Sequence, residues 1–244
     1  MIYSKRTTEP HHFLTDGLIY DLMDVCQQIE QEPQNIALRY QRIATYCGLE
    51  RWESMIDESE EIVRIDPTQA PDACAIRGLA HYYLGDYDAA LAALAQSIVL
   101  NPNDAAPYSI RGDIHAIHAH WEAAISDYSK TIDLAPAIPA ALIERARIYY
   151  RLGRLTEATA DLALAEPLFE HDWEKSKAKA YVFGHSAISH VIPDDDYYLD
   201  GPEIDDFNDD WDFNLDVRKL AHDTEEYPIN ALPTDNHDDW VIPF

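Results

Sequence analysis

Along this chain apolar residues return at the spacing of one helix face, and the faces themselves return with a longer period. Between Leu14 and Ile29 the positions Leu18, Ile19, Leu22, Met23 and Cys26 form such a stripe, with Asp16 placed to cap its start and Pro33 just past its end. One helix is predicted there. Further on, Arg77-Gly78 is followed by Tyr87, Ala90 and Pro102, and Arg111-Gly112 by Trp121, Ala124 and Pro136, every pair 34 residues apart. A fixed period of that length marks helix-turn-helix units that bury their apolar faces only by stacking, which is an α-solenoid. Residues 139–172 continue in phase through Ala146, Tyr149, Gly153, Ala158 and Leu162, with Glu170 where the proline would stand. An earlier unit is in register too: Arg42, Tyr46, Trp52 and Pro67 stand 35 residues before Arg77, His81, Tyr87 and Pro102. One extra residue must therefore lie in the loop that follows it.

Close packing accounts for the recurring residue types. Gly78 and Gly112 at position 8, with Ala90 and Ala124 at position 20, let the two helices of a unit approach, and the aromatic at position 17 fills the volume near the turn. Proline at position 32 stops the second helix, because it donates no N–H and biases the residue before it out of α geometry. The first unit has Ile43 and Met55 at its small positions, so a looser crossing is expected there. Residues 173–190, with Trp173, Tyr181, Val182, Phe183 and Ile188, form the candidate helix that covers the last apolar face, although Gly184 weakens its middle.

The segments 71–104 and 105–138 resemble the tetratricopeptide repeat family, with Gly at position 8, Ala at 20, Tyr or Trp at 17 and Pro at 32. The run Leu84-Gly85-Asp86-Tyr87-Asp88-Ala89-Ala90-Leu91 looks like that family's turn between helices. The resemblance implies an all-α protein, a right-handed α-solenoid of antiparallel helix pairs. It divides the chain into a leader (1–13), an N-terminal capping helix (14–35), four repeats (36–70, 71–104, 105–138 and 139–172), a C-terminal capping helix (173–190) and a tail (191–244). It also implies a concave face built from positions 2, 5, 9, 12 and 13, which here gives Tyr40, Leu79, Tyr82, Tyr83, Ser109, Asp113, Ile117, Ile143, Arg147, Tyr150 and Arg151. Tyr and Arg are the residue types that carry binding hot spots. Members that clamp a chaperone's C-terminal carboxylate use Lys and Asn at positions 5 and 9, and Tyr40, Leu79 and Asp113 do not match them. Position 7 carries Arg42, Arg77, Arg111 and Arg145, a ladder expected to pack inward with each guanidinium paired to an acid of a neighbouring repeat.

Charge changes the picture at the C-terminal end. The 244 residues carry a formal charge of −27, and residues 191–244 hold 17 acidic against 2 basic residues. Pro193, Pro202, Pro228, Pro233 and Pro243 forbid long helices there, so the tail is expected to be mostly irregular, with one short helix at most over 216–227. Acids without aromatics would only solvate. Here Tyr197, Tyr198, Phe207, Trp211, Phe213, Tyr227, Trp240 and Phe244 are interleaved, which points to docking on the solenoid or on a partner. The densest cluster is Asp205, Asp206, Phe207, Asp209, Asp210, Trp211, Asp212 and Phe213. Such a balance argues against nucleic acid and anionic membrane surfaces and for a basic protein partner.

No other chemistry emerges. Cys26, Cys47 and Cys74 make neither a disulfide framework nor a zinc site and read as small buried hydrophobes. Phosphate loops, dinucleotide fingerprints, HExxH and nucleophile elbows are absent, so no catalytic residue, cofactor or metal is expected. His11-His12 lacks a third ligand, and His115, next to His118 and His120, falls at a packing position. An EF-hand loop starting at Asp196 fails at Tyr198 and Phe207, and one starting at Asp206 lacks the glycine. With no signal-peptide or membrane-span pattern, the expected location is cytoplasmic. The leading expectation is a non-enzymatic interaction module whose groove and tail wrap a basic partner, one form being immunity to a basic toxin such as a nuclease. The alternative is a scaffold whose tail fills its own groove until a client displaces it. Oligomeric state is left open.

Overall fold

The computed structural model of the protein describes residues 11–169 and 171–183. Ten α-helices account for most of them, and no strand occurs among the described residues. Helix α1 (His11–Gln31) precedes four helix pairs: α2 (Ile36–Gly48) with α3 (Trp52–Ile65), α4 (Ala70–Tyr83) with α5 (Tyr87–Leu100), α6 (Ala106–Ile117) with α7 (Trp121–Leu134), and α8 (Pro139–Arg151) with α9 (Leu155–Ala165). Helix α10 (Asp172–Phe183) packs back on α8 and ends the stack. Helix α1 starts at His11, so Asp16 lies inside it instead of capping it. Nothing between Pro10 and Asp16 breaks a helix, and an early start therefore runs on. No helix among the described residues is long and apolar enough to cross a membrane.

Within each pair the chain reverses through three residues, and the middle one is left-handed: Glu50 (φ 54°), Gly85 (φ 75°), Ala119 (φ 58°) and Gly153 (φ 74°). Between pairs the breaks are helped by Pro71, Pro107 and Pro139, which sit in the first turns of α4, α6 and α8, where a missing N–H costs nothing. The extra residue of the first unit is absorbed by a short 3-10 turn, Pro67–Gln69, where the Asp66 carboxylate accepts from Thr68 N (3.0 Å) and Thr68 Oγ1 (2.7 Å). Pro167 sits in a second 3-10 turn, Glu166–Leu168, directly after α9.

The helices of a unit meet where the sequence keeps them small. A Cβ on Gly78 would come within 2.6 Å of the Leu94 side chain, and one on Gly112 within 3.0 Å of the Tyr128 ring. In the first unit Ile43 and Met55 are both fully buried and fill that space. One apolar core runs from Tyr40, Met55 and Ile62 through Ile76 and Leu94 to Ile110 and Ile114. A second joins Leu142, Ile143 and Leu162 to Ala178 and Val182 of α10, so the last face of the solenoid is covered. Burying a Val this fully stabilises by about 1.5–3 kcal/mol. Of the cysteines only Cys74 is buried; Cys26 and Cys47 are half-buried, Cys47 packing against the first core.

The arginine ladder forms, but its acids come from within each unit. Arg111 donates Nε (2.8 Å) and Nη2 (2.7 Å) to Asp127, and Arg145 does the same to Asp161 at equal distances. Glu58 takes Arg42 and, at 2.9 Å, Arg39. Position 7 of the first helix therefore faces position 23 of its own second helix, not an adjacent repeat. Two also reach beyond their unit: Arg145 donates to Ser129 Oγ at 2.8 Å, and Arg42 to Cys26 Sγ on α1 at 3.7 Å. At the same offset from Arg77 the sequence has Ala93, and Arg77 donates instead to Cys74 Sγ at 3.1 Å.

Candidate functional site

The first helices of successive units stand side by side, and an open cavity of about 510 Å³ lies along α4, α6 and α8. Residues three and four apart share a helix face, and this face carries Leu79, Tyr82 and Tyr83 on α4. Helix α6 adds Ile110, Asp113, Ala116 and Ile117, and α8 adds Ile143, Glu144, Arg147, Ile148 and Arg151. Trp121 and Tyr128 of α7 and Tyr181 of α10 join the lining, together with Ala119 and Ala140.

Of the expected groove residues, Leu79, Tyr82, Tyr83, Asp113, Arg147 and Arg151 come together here. Tyr40 does not. It is 2% exposed in the first core, with its hydroxyl donating to Gln69 at 3.0 Å in the turn before α4. Burial, followed by the Asp72 and Asp66 carboxylates, raises its pKa, so the phenol stays protonated. Tyr150 points past the cavity and packs edge-on against Phe183 at 5.1 Å, and Ser109 is fully buried. The tail candidates Asp205, Asp206, Phe207, Asp209, Asp210, Trp211, Asp212 and Phe213 lie outside the described residues, as do both calcium-loop frames.

One end of the cavity is aromatic. The Tyr83 ring stacks on Trp52 at 4.2 Å, Tyr82 meets Tyr83 edge-on at 5.2 Å, and Tyr87 stands edge-on to His118 at 5.1 Å. Such arrangements keep large apolar faces pre-ordered at low entropic cost. The other end is polar and already internally satisfied. Tyr128 donates to Asp113 at 2.6 Å, Tyr181 donates to Glu144 at 2.8 Å, and Arg147 donates through Nε to Glu144 at 2.9 Å. Burial and then the Asp113 and Glu144 carboxylates hold the Tyr128 pKa far above the ordinary phenol value, so it remains a donor. Burial opposes the Arg147 charge, yet Glu144 more than offsets that and raises its pKa. Arg151 differs: it is exposed, its guanidinium lies over the Trp121 ring at 5.8 Å, and no ion pair holds it among the described residues.

Sequence reading missed Glu144, Trp121, Tyr128 and Tyr181. The opposite charges of Glu144 and Arg147 at i, i+3 were a usable signal, whereas Tyr181 enters only because α10 folds back on α8. The three histidines gather loosely, with ring centroids 5.9 Å apart for His115–His120 and 6.1 Å for His118–His120. No group of three or more His, Cys, Asp or Glu among the described residues is placed to hold a metal ion. His115 is not a core residue: its side chain is 23% exposed, with Nε2 3.8 Å from Asp127. Burial lowers its pKa against the pull of that carboxylate.

A stack of helix pairs with an open, aromatic concave face defines a class of protein, the solenoid interaction scaffold. Residues 71–104 match the tetratricopeptide repeat pattern, and residues 111–172 match a second tetratricopeptide repeat pattern. These matches identify tetratricopeptide repeats over residues 71–104 and 111–172, and such repeats indicate a protein–protein interaction module. Among solved structures it is similar to a thermophilic tetratricopeptide repeat protein of Thermus thermophilus, at 20% identity and TM-score 0.56 over 66% of this chain and 88% of that one. It is also similar to a tetratricopeptide repeat protein from Parabacteroides merdae, at 16% identity and TM-score 0.55 over 73% of each chain. MamA is similar at 23% identity and TM-score 0.52, over 73% of this chain and 99% of that one. At these identities the likeness concerns the fold. No curated protein sequence matches the chain.

Proposed function

We propose that the protein is a non-enzymatic, cytoplasmic binding module for a basic protein partner, which it holds between its concave groove and its acidic tail. The observation that carries this reading is the cavity itself, where Tyr82, Tyr83 and Trp121 offer pre-ordered aromatic faces to an incoming segment. The formal charge of −27 adds long-range steering, which speeds encounter with a positively charged protein and repels nucleic acid. A small acidic binder of this kind suits immunity against a basic toxin such as a nuclease, because it would compete for the face that the toxin uses on its own polyanionic substrate. No catalytic constellation, cofactor or metal enters the reading.

The test is to purify the full chain from its host and identify the protein that comes with it. The expected companion is basic, leaves the column as salt is raised, and is no longer retained by a Tyr82→Ala/Tyr83→Ala variant. An acidic companion, or one indifferent to both salt and those substitutions, overturns the reading.

A further inference from the structure

From the unpartnered Arg151 of the groove and the place where the chain leaves it, we infer that the chain's own acidic segment, residues 205–213, occupies the concave groove in the absence of a partner. This rests on the groove being the binding site and names what fills it at rest.

The groove carries two carboxylates and two arginines, and they differ in how their charge is met. Asp113 accepts from Tyr128, while Glu144 is held by Arg147 and by Tyr181. Arg151 keeps its charge exposed over the Trp121 face with no carboxylate paired to it among the described residues. Of these four groups Arg151 is thus the one with no hydrogen-bonded partner among the described residues, a cation inside a molecule whose formal charge is −27. An occupant that complements it is acidic and brings aromatic side chains for the wall made by Tyr82 and by Tyr83, which Trp52 backs. The segment Asp205-Asp206-Phe207-Asn208-Asp209-Asp210-Trp211-Asp212-Phe213 is such a ligand, with five carboxylates and three aromatics in nine residues.

Geometry makes this the nearest ligand available. The described chain ends at Phe183, beside the site: Tyr181 lines the cavity and Phe183 packs on Tyr150. Asp205 stands 22 residues beyond Phe183, enough to reach up to about 70 Å. The far wall on α4 lies only a few helix widths away, at about 8–10 Å for each. A ligand tethered so closely acts at an effective concentration on the order of millimolar, so even a weak contact keeps the groove closed. A basic partner would then open it by drawing the carboxylates away from Arg151, which makes release and recruitment a single exchange.

Hydroxyl-radical footprinting of the full chain, read by mass spectrometry, tests this without any partner. Wild type is compared with two full-length variants, one with Asp205, Asp206, Asp209, Asp210 and Asp212 each changed to Asn, and one with Trp211→Ala/Phe213→Ala. The inference expects Tyr83 and Trp121 to be labelled at least about threefold more slowly in wild type than in either variant, which corresponds to a groove that is closed most of the time. Tyr20, 72% exposed on α1, serves as the internal reference and should not change. Protection should also weaken as salt is raised and stay constant on dilution. Equal labelling of wild type and variants overturns the inference, and protection that grows with protein concentration overturns it in favour of a second copy as occupant. Neither result bears on whether a basic partner binds, so failure here is distinct from failure of the proposed function.

Discussion

The units 71–104 and 105–138 carry the same packing pattern in the same register, yet each lacks a device that the other has. The second unit turns between its helices on Gly85, which tolerates the left-handed conformation, but it has Ala93 where the third has an acid for its arginine. The third supplies Asp127 to Arg111, yet forces Ala119 into the left-handed region. A third difference lies in the groove: where Leu94 fills the gap over Gly78, Tyr128 covers Gly112 and lends its hydroxyl to Asp113. The repeat pattern is thus a packing frame, and polar detail is distributed over it unit by unit. Stability in a solenoid is close to a sum of unit and interface terms, so the two units can be compared by substitution.

The largest difference should appear on removing the two arginines in separate variants. Arg111→Ala strands Asp127, whose side chain is 7% exposed, and breaking such a pair costs about 3 kcal/mol. Arg77→Ala loses only stem packing and a contact to Cys74, a loss of about 1 kcal/mol or less. Urea titrations of the full-length variants at neutral pH would show this as unequal shifts of the midpoint at an unchanged slope. Equal shifts would mean that Asp127 does not make the difference between the units.

Much of this frame was legible in the sequence. The positions of Gly78, Gly112, Ala90, Ala124 and the prolines give helix order, turn position and the helix faces that meet, because those constraints are local and periodic. What was not legible depends on how units stand against each other. The sequence reading pointed position 7 at an acid of a neighbouring repeat, whereas the constant 16-residue offset to Glu58, Asp127 and Asp161 keeps each pair within its own unit. Tyr40 occupies repeat position 5, which is buried in every unit, at Ala75, Ser109 and Ile143 as well, and its hydroxyl donates to Gln69 in the turn lengthened by the extra residue. Tyr181 joined the site through tertiary folding of α10, which no periodicity announces.

An intermediate effect is expected from exchanging the turn residues. Ala119 at φ 58° carries a Cβ in a conformation that disfavours it, so Ala119→Gly should raise stability by about 1 kcal/mol, net of the greater freedom glycine has when unfolded. Gly85→Ala should lower it by a similar amount. Both are measured as shifts in thermal midpoint at one protein concentration. Opposite signs sharpen the comparison, and a loss in both variants would show that Ala119 is held by its neighbours at no strain.

The smallest effect should come from giving the second unit its missing acid. Ala93→Asp places a carboxylate 16 residues after Arg77, the offset that joins Arg111 to Asp127 and Arg145 to Asp161. Against the pair stands the poorer helix propensity of Asp, about 0.5 kcal/mol, together with partial exposure at residue 93, which screens the new interaction. The net gain should therefore be about 0.5 kcal/mol. A double-mutant cycle with Arg77→Ala isolates the pair itself and should return a coupling of about 1 kcal/mol, lost progressively as pH falls and the aspartate is protonated. If the coupling is zero, Arg77 does not point where Arg111 and Arg145 point, and the second unit differs from the third in backbone placement as well as in residue type.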